Sequence, residues 1–493
     1  MTDRPEADSP EAPAAAERPR IGVDEWVAQS ESRTAISRGA LATLRSRFEA
    51  LPLAARIALL VVPLALLPLL TSSEYHLQVL IDTVLFMLLA LGLNVVVGFS
   101  GLLDLGYVAF FGFGAYAYTM LASAHTDLHF DAWLAIPIVV AASALLGFLV
   151  GLPSRRLVGD YLAIVTLFFL QIFVTVLLNA DRLSFPFVGT VDFTRGPNGI
   201  SSVDPLSFFG LELRSLDAYF YFALVTFVLV IAGLYALNDS RTGRAWRALR
   251  EDPLAAEAMS IPVNRLKLMA FAFGAGTAGL TGSIFAASQG AVFPVNFDLT
   301  LLITVYAMVI LGGAGSLAGV ALGAIVINIA LEALRTPEDA SWLFFGGVVL
   351  ALLLLLRPWP RVVLVFGGVI AFGFAARGLA ELLWPRGTEG TTPGGSFLDR
   401  LVDSWVLLPE NPVEIGRYAF IVLIAAVLGL TLLHGWTRLV ALIPVLYLAA
   451  CVWENVLVAQ PSVARYILLG AMLVGLMAAR PQGLLGTPRV EIV

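Results

Sequence analysis

Residues 77–122 have the sequence LQVLIDTVLFMLLALGLNVVVGFSGLLDLGYVAFFGFGAYAYTMLA, in which Asp82 and Asp104 are the only charged residues. An α-helix needs about 20 apolar residues to cross the hydrocarbon layer of a bilayer, so this stretch is long enough for two crossings. Glycines at 101 and 106 interrupt it near the middle. The stretch therefore predicts two membrane-spanning helices, at 77–99 and 101–122, separated by a break.

The rest of the chain has a similar composition. Of its 493 residues, 59% are hydrophobic and 13% are charged, against roughly 25% charged residues in a soluble domain. We predict an all-α, polytopic integral membrane protein with about 14 transmembrane helices. The other spans are expected near 57–73, 132–153, 161–179, 218–237, 268–288, 298–312, 317–333, 341–356, 361–380, 416–433, 438–457 and 463–479.

Charge and metal-ligating residues exclude several classes of function. With 30 basic and 36 acidic residues the net charge is −6, so no basic surplus indicates nucleic-acid binding. A single cysteine, Cys451, excludes disulfide frameworks, and four histidines are few for a metal enzyme. In one short segment, histidine and aspartate alternate at every second position, as His125, Asp127, His129 and Asp131. These side chains either bind a metal ion or are simply solvated. We predict no metal and no cofactor in this chain.

The arginines predict the orientation. The segment 238–267 carries six basic residues, so the positive-inside rule places it in the cytoplasm. Counting spans outward from it places both termini in the cytoplasm. The segments expected outside are 123–131, 180–217, 289–297 and 381–415. The two short ones carry no Lys or Arg. The few arginines of the two long ones count only weakly against this orientation, because long loops cross a membrane largely regardless of charge.

Residues 1–55 are predicted to be a cytoplasmic tail. The first 34 residues are rich in Ala, Pro, Glu and Arg and contain no apolar run, which is typical of a disordered segment and not of a signal peptide. Leu41, Leu44, Phe48 and Leu51 then recur at helical spacing among arginines. This pattern fits either a short helix on the inner membrane surface or a solvated lead-in to the first span.

The sequence lacks a nucleotide-binding loop. Its only lysine, Lys267, is followed by Leu268 and is not preceded by glycine, so the phosphate-binding pattern G-x-x-x-x-G-K-[ST] does not occur. We therefore predict that this chain does not itself hydrolyse ATP and has no catalytic residues. The classes of function that remain are a transporter, a channel and a scaffold.

The stretch 243–259, GRAWRALREDPLAAEAM, predicts a helix that protrudes into the cytoplasm. Asp252 is a good N-cap, and Pro253 fits the first helical turn. Such a helix can dock in a groove of a soluble partner, although an ordinary solvated loop helix has the same pattern. Its small apolar face would consist of Leu254, Ala255, Ala258 and Met259, with Glu257 on a neighbouring face.

Five motifs occur in order along the chain. They are GLNVVVGFSGLLDLGYVAFFGFGAY at 92–116, GDYLAIVT at 159–166, GPNGI at 196–200, the loop at 243–259 and VILGGAGS at 309–316. The chain closes with RPQGLLG at 480–486. Together these motifs resemble the membrane-spanning permease of branched-chain amino acid ABC importers. The resemblance covers about 75–333 and 455–486, and five ordered motifs are far more specific than any one of them.

The resemblance implies a role for the loop and a set of partners. In that family the loop carries the coupling helix that contacts the ATP-hydrolysing subunit. It also implies a second related permease chain, two ATP-binding cassette subunits that hold ATP and magnesium, an extracytoplasmic amino-acid-binding protein, and a place among the lipids of the bacterial cytoplasmic (inner) membrane. The implied ATPase-coupling residues are Arg244, Arg247, Arg250, Asp252, Pro253, Leu254, Glu257, Ala258 and Met259.

The sequence departs from the family between 336 and 455. Four additional spans are predicted there, with a Gly/Pro-rich outer segment, WPRGTEGTTPGG, at 384–395. An even number of helices returns the chain to the same side of the membrane, and we expect these helices to pack laterally on the permease. The predicted parts are a tail (1–55), a permease core (56–335), inserted helices (336–455) and a closing helix with the C-terminus (456–493).

Polar residues at membrane depth are candidates for the substrate pathway, because each costs free energy unless it has a partner or lines a cavity. The break between two spans is a favourable place, since interrupted helices expose backbone groups there. Asp104 lies in that break and is equally suited to cap a helix. The five candidates are Asp82, Asn94, Asp104, Tyr107 and Gln171.

Small residues at four-residue spacing predict close contact between helices. They form two sets, Gly274/Ala278/Gly282 and Gly315/Gly319/Gly323. We expect both sets to serve packing.

The leading hypothesis is an ABC permease subunit for branched-chain or similar small hydrophobic amino acids. Urea or amide import stays open, since permeases of the broad superfamily share the loop. An ion-driven secondary transporter would need acidic residues deep in several spans, and only Asp82 is a plausible one. A scaffold without transport is disfavoured by the five motifs.

Overall fold

The structure, a computed structural model, describes residues 51–457 with gaps at 72, 155–159, 182, 186–188, 336, 357–358, 386–387, 389–401 and 410–411, and a few positions between 466 and 486. The described residues from 57 onward belong to one compact unit. Before them, residues 51–56 are described, where Arg56 Nε donates to the carbonyl of Leu51 at 2.8 Å. The predicted tail and its helix at the membrane surface therefore lie almost entirely outside the described residues.

The described residues form fifteen helices, which confirms the predicted all-α class. Two five-residue π-helical turns, Val95–Phe99 and Trp453–Leu457, extend α2 and α15. The helices are α1 (Leu53–Leu70), α2 (Glu74–Asn94), α3 (Tyr107–Leu121), α4 (Ala132–Ser154), α5 (Asp160–Asn179), α6 (Leu216–Asp239), α7 (Arg241–Glu251), α8 (Pro253–Ala258), α9 (Val263–Gln289), α10 (Leu299–Gly312), α11 (Leu317–Ala333), α12 (Pro337–Leu355), α13 (Trp359–Leu383), α14 (Pro412–Leu432) and α15 (Gly435–Val452).

Most predicted spans correspond to a helix. Among the described residues, eight helices are long and apolar enough to cross a membrane, and five shorter apolar helices accompany them. Each predicted span from 57–73 to 438–457 matches one of these helices. The predicted start at 101 is wrong, because residues 100–106 form the break and α3 begins at Tyr107. The span predicted at 463–479 lies mostly outside the described residues.

Helix α9 lies at the centre of the contacts among the helices of the predicted core, residues 56–335. It packs most extensively on α3 and α4, and also contacts α2. Glycines bring the backbones together, since a Cβ added to Gly114 would lie less than 3.0 Å from Gly279, and one added to Gly282 would lie equally close to the carbonyl of Phe111. Gly282 and the fully buried Ala278 confirm the packing role predicted for this face of α9.

The second predicted set of small residues is partly wrong. Gly319 and Gly323 face α10, where an added Cβ would lie less than 3.0 Å from the carbonyls of Gly312 and Met308. Gly315 precedes α11 and has φ +94°, a left-handed backbone that suits glycine. It therefore forms a turn and not a helix face.

The loops at one end of the core pair with one another. β1 (Ala122–Ser123) pairs with β2 (Leu128–His129), and β5 (Ile200–Ser201) pairs with β8 (Ala291–Val292). The segment between α5 and α6 also contains two hairpins, β3 (Leu183–Phe185) with β4 (Gly189–Val191) and β6 (Ser207–Phe208) with β7 (Leu211–Glu212). In the GPNGI motif, Gly199 has φ +63°, and an added Cβ would lie less than 3.0 Å from the carbonyl of Val292. This close approach explains the second glycine of the motif.

Helices α12 to α15 lie in the segment 336–455, where the sequence predicts extra helices, although the prediction is not tested by their packing. α15 packs on α13 and α14, and Trp453, just after α15, stacks on Phe344 of α12 with ring centroids 4.4 Å apart. Trp453 also shares a buried cluster with Leu334, at the end of α11. A cavity of about 330 Å³ lies between α12, α13 and α15, lined by apolar side chains that include Phe345, Leu446 and Ala450.

Candidate functional site

The break between α2 and α3 is held by buried polar contacts. Asp104 is fully buried, and its Oδ1 accepts a hydrogen bond from the backbone N–H of Gly106 at 2.9 Å. The Tyr306 hydroxyl donates to the carbonyl of Asp104 at 2.6 Å, and the Leu105 N–H donates to Thr166 Oγ1 at 2.9 Å. Thr166 closes the GDYLAIVT motif, so two motifs meet at this break.

The segment 238–267, which the sequence predicts to be cytoplasmic, contains α7, and this helix is anchored by its apolar side. Ser240 Oγ caps the helix by accepting from the N–H of Gly243 at 3.3 Å. Trp246 is fully buried, and its Nε1 donates to the carbonyl of Leu266 at 2.9 Å. Its ring stacks on Phe99 with centroids 6.5 Å apart. Helix α7 is therefore fixed to the π-helical turn that follows α2.

Helix α8 confirms the predicted N-cap but is shorter than the predicted helix. Asp252 Oδ1 accepts from the N–H groups of Leu254 and Ala255 at 2.8 and 3.1 Å, and Pro253 is the first helical residue. The loop forms two helices, because Asp252 has an extended backbone between them. Met259 follows the last helical residue, and Ser260 has φ +61°.

The predicted apolar face of α8 is open. Leu254 and Met259 are 79% and 77% exposed, and Ala255, Glu257 and Ala258 are exposed as well. Ala256 alone faces the protein within this helix, at 3% exposure. Exposed large apolar side chains on a short capped helix are typical of a surface that binds a partner.

The three arginines of the 243–259 loop donate hydrogen bonds to other residues of this chain. Arg244 Nη1 donates to the carbonyl of Asp239 at 2.9 Å, and Arg247 Nη1 donates to Asn238 Oδ1 at 3.0 Å. Both contacts fix α7 to the end of α6. Arg250 reaches further, because Nη1 donates to the carbonyl of Gly98 and Nη2 lies 3.5 Å from the carbonyl of Ala314.

Four motif segments meet around Arg250. The Asn94 side chain accepts through Oδ1 from the N–H of Gly315 at 2.8 Å, which joins the end of α2 to the turn between α10 and α11. The closing motif reaches the same turn, where the N–H groups of Leu484 and Leu485 donate to the carbonyls of Leu311 and Gly312 at 2.8 and 3.1 Å. The first motif, the loop, the VILGGAGS turn and the chain ending thus lie at one end of the core.

The structure separates the five pathway candidates. Asp82 is half-buried, and its Oδ1 accepts from Gln78 and Gln289 at 3.4 Å each. Asn94 and Tyr107 are fully buried within the core, where the Tyr107 hydroxyl donates to the carbonyl of Leu89 at 2.9 Å. Gln171 lies on an exposed face of α5. Asp104 accepts from the N–H of Gly106, the N-cap residue of α3, but no side chain caps that helix, so the predicted capping alternative is wrong.

The acidic and histidine side chains of the 123–131 loop have separate partners. His129 Nδ1 lies 2.6 Å from Asp204 Oδ2, and Asp131 Oδ1 accepts from Ser207 at 2.8 Å. His125 Nε2 lies 3.0 Å from the carbonyl of Asp192. Within the described part of the chain, no group of three or more His, Cys, Asp or Glu residues is arranged to hold a metal ion. The metal-binding alternative for this loop therefore has no support.

Sequence reasoning missed two residues at these sites, Trp246 and Gln289, and assigned a third, Gly315, to a helix face. Trp246 fixes the loop, Gly315 shapes the turn, and Gln289 completes the polar group around Asp82. The isolated tryptophan in a charged loop was an available signal for the first. The other two depend on contacts between residues more than 200 positions apart, which one sequence does not show.

A known family matches the region that holds these segments. The family described as "Branched-chain amino acid transport system / permease component" matches residues 75–376. The chain belongs to this family. Its range contains the break, the loop and the VILGGAGS turn, and it extends past the boundary at 335 that we predict for the core.

Three relatives illustrate the similarity. The high-affinity branched-chain amino acid transport system permease protein LivM of Escherichia coli (strain K12) is 39% identical over 299 residues, which span 56% of this chain and 67% of that protein. A probable LivM of Methanocaldococcus jannaschii is 26% identical over 246 residues, spanning 45% and 66%. LivH of E. coli K12 is 25% identical over 287 residues, spanning 55% and 89%. No solved structure matches the chain significantly.

Family membership confirms the resemblance inferred from the motifs. It supports a multi-pass permease subunit, and it gives no support to an ion-driven transporter or to urea import.

Proposed function

We propose that this chain is one membrane-spanning subunit of an ABC importer for branched-chain or other small hydrophobic amino acids, in the bacterial cytoplasmic membrane. The observation that carries the proposal is the family match over 75–376, together with 39% identity to LivM of E. coli. The chain is also 25% identical to LivH, a second permease protein of a branched-chain amino acid system in the same organism. That double similarity supports a related permease chain as partner.

The remaining partners follow from what an importer needs. Two ATP-binding cassette subunits would hold ATP and magnesium, since this sequence has no G-x-x-x-x-G-K-[ST] loop. An extracytoplasmic binding protein would deliver the amino acid to the opposite face. ATP hydrolysis on the cassette subunits would then drive uptake.

Helix α8 is the proposed contact with the cassette subunit. Its exposed face combines two large apolar side chains, Leu254 and Met259, with the small Ala258, and the Asp252 cap keeps this short helix formed. Arg244 and Arg247 support it from α7 by fixing that helix to the end of α6. We therefore propose for coupling the same nine residues that the resemblance implies, from Arg244 to Met259.

Replacing Ala258 with Arg tests the contact. A long charged side chain would enter a groove that fits a methyl group, and an unpaired buried charge costs several kcal/mol. In complexes reconstituted in vesicles with their ATPase subunits, we expect ATP-driven leucine uptake and substrate-stimulated hydrolysis to fall together, while binding-protein docking persists. Ala258→Ser is the matched control. Unchanged uptake by Ala258→Arg complexes of normal stoichiometry would show that α8 is not the coupling element.

Orientation is tested by cysteine labelling. We propose that both termini and the loop carrying α8 are cytoplasmic, and that the segment between α5 and α6 is outside. In a Cys451→Ser background, a cysteine at the exposed Ser201 should react with an impermeant reagent in intact cells. A cysteine at Glu257 should react only after permeabilisation. The reverse pattern would overturn the scheme.

For the substrate pathway we propose Asp82 first among the five candidates. Its support is a half-buried carboxylate that accepts hydrogen bonds from two amides, Gln78 and Gln289, at membrane depth. Asn94, Asp104, Tyr107 and Gln171 remain further candidates. We expect Asp82→Asn to raise the KM for uptake more than Gln171→Ala does, and equal KM values would remove Asp82 from the pathway.

A further inference from the structure

Arg250 joins the coupling loop to two other segments of the core. It lies in the last turn of α7, two residues before the cap of α8, and its guanidinium reaches the carbonyls of Gly98 and Ala314. Its aliphatic part packs on Gly101, where an added Cβ would lie 2.9 Å from Arg250 Cγ. One side chain therefore contacts the π-helical turn after α2, the break that follows it, and the turn between α10 and α11.

The two segments that Arg250 contacts are the π-helical turn with the break after it, and the turn between α10 and α11. Both have irregular backbones. Residues 95–99 form a π-helical turn, a feature often found at functional positions in helices. Gly101 has φ +71° and Gly315 has φ +94°, so neither belongs to a helix. Residues at element ends absorb the dihedral changes of hinge motions. These segments are therefore better suited to move than the closely packed helices beside them.

One buried polar atom near Arg250 lacks a hydrogen-bond partner. Asn94 Oδ1 accepts from the N–H of Gly315, whereas Asn94 Nδ2 is buried with no hydrogen-bond partner in this structure. An unsatisfied buried amide costs free energy, which favours any rearrangement that gives it a partner. Asn94 lies one turn before Gly98, so the unsatisfied atom and the carbonyl held by Arg250 belong to the same stretch of backbone.

We propose that Arg250 is a positioning residue that transmits movement of the coupling loop to the inner ends of α2, α10 and α11. This inference rests on the proposed function. When the cassette subunits move α8, Arg250 carries the Gly98 and Ala314 carbonyls with it, so that the two irregular segments shift together. Arg244 and Arg247 bond to α6 instead, and they fix the loop without contacting either segment through their described hydrogen bonds.

The geometry explains why arginine is needed. The guanidinium presents several N–H donors in a rigid plane, which lets one side chain bond two carbonyls of different segments. A lysine ammonium is a point charge on a flexible stem and does not hold two carbonyls in a fixed relation. Gly101 and Gly315 leave the space through which the side chain passes, since an added Cβ at either position would meet Arg250.

Arg250→Lys is the direct test, with Arg241→Lys, at an exposed position of the same helix outside the proposed coupling residues, as its matched control. The reconstituted complex with its ATPase subunits and binding protein is used for both. We expect Arg250→Lys complexes to assemble normally and to hydrolyse ATP, but to take up about tenfold less leucine per ATP, the factor expected for loss of a hydrogen bond to a charged group. Arg241→Lys should keep the unmodified ratio. A purely structural role would lower assembly and hydrolysis while leaving uptake per ATP unchanged.

A second pair of variants covers the case in which Arg250→Lys fails to assemble. Gly101→Ala strains a residue at φ +71° and displaces Arg250, whereas Gly210→Ala strains a residue at φ +84° with nothing within 4 Å of the added Cβ. We expect lower uptake per ATP only from Gly101→Ala. Unchanged uptake per ATP in Arg250→Lys, or in Gly101→Ala where the lysine variant does not assemble, overturns the inference. Absence of leucine uptake by the unmodified complex would instead refute the proposed function.

Discussion

The permease core and the extra helices have similar compositions but are packed differently. In the core, the buried share of the apolar stretch is 78% for α2 with its π-helical turn and 67% for α9, the least apolar of the eight long helices. It is 28% for α4, 28% for α5 and 39% for α6. In α13, α14 and α15 the buried shares are 17%, 6% and 22%. Because lipid is as apolar as leucine, apolarity does not bring helices together, and small residues that admit close backbone contact do.

The glycines show the same contrast. In the core, Gly114, Gly279 and Gly282 sit where an added Cβ would overlap a neighbouring helix. In the extra helices, Gly378 and Gly429 have nothing within 4 Å, whereas a Cβ on Gly368 or Gly373 of α13 would overlap a side chain. Contact between the two sets of described helices is concentrated at the junction of α11 and α12. Helices of the core thus approach one another backbone against backbone at Gly114 and Gly282, whereas the close contacts of Gly368 and Gly373 in α13 are with side chains.

The largest expected effect is that of Gly114→Ala. Its Cβ would overlap the backbone of Gly279, which has no flexible side chain to move aside, so we expect a loss of about 1–3 kcal/mol or more. Gly429→Ala, in open space on α14, should leave stability unchanged. Thermal unfolding of the detergent-solubilised protein, followed by size-exclusion chromatography, measures both. Equal melting temperatures for the two variants would refute the proposed difference in packing.

Deleting 336–455 should have an intermediate effect. The permease motifs and the Arg250 contacts lie outside this segment, so we expect the shortened chain to insert, assemble and retain part of the ATP-driven uptake. The exposure of Leu334, which shares a buried cluster with Trp453, accounts for some loss. Deleting 299–333 is the control and should prevent assembly. An assembled 336–455 deletion without any uptake would place the extra helices within the mechanism.

A smaller effect is expected from filling the cavity between α12, α13 and α15. Ala450 lines this space of about 330 Å³, so Ala450→Leu should add apolar contacts without overlap. Cavity-filling substitutions typically add about 0.5–2 kcal/mol of stability. Ala278→Leu, at a fully buried position of α9, should instead destabilise the protein. A lower melting temperature for both variants would show that the extra helices are packed as tightly as the core.

The smallest effect concerns the loops that cover one end of the core. The hydrogen bond to Asp204 raises the pKa of His129 above its usual value. A raised pKa in the folded state means that the pair stabilises the protein below the unfolded-state pKa, about 6.5 for histidine, and that this contribution disappears as the pH rises through the folded-state pKa.

Because His129 is exposed, we expect His129→Gln to lower the melting temperature slightly at pH 5.5 and not at pH 9. His125→Gln, whose partner is a backbone carbonyl, is the control. A larger loss at high pH than at low pH would contradict the assigned direction.

Much of the architecture was predictable from the sequence. Long apolar runs, the Asp252–Pro253 helix start and the five ordered motifs are local patterns, and the helices, the cap and the family followed from them. The site was less predictable, because its contacts join distant positions. Gly315 illustrates this, since its spacing with Gly319 predicted a helix face whereas its φ of +94° places it in a turn.

The sequence by itself determined that the chain crosses the membrane many times and belongs with the permeases, because both properties depend on composition and short ordered motifs. Tertiary structure alone decided which apolar helices form a packed core and which face outward, and it brought Arg250 to Gly98 and Ala314 across 152 and 64 positions. The physical reason is that, in lipid, burial depends on whether neighbouring backbones fit closely, and that fit involves residues from several helices at once.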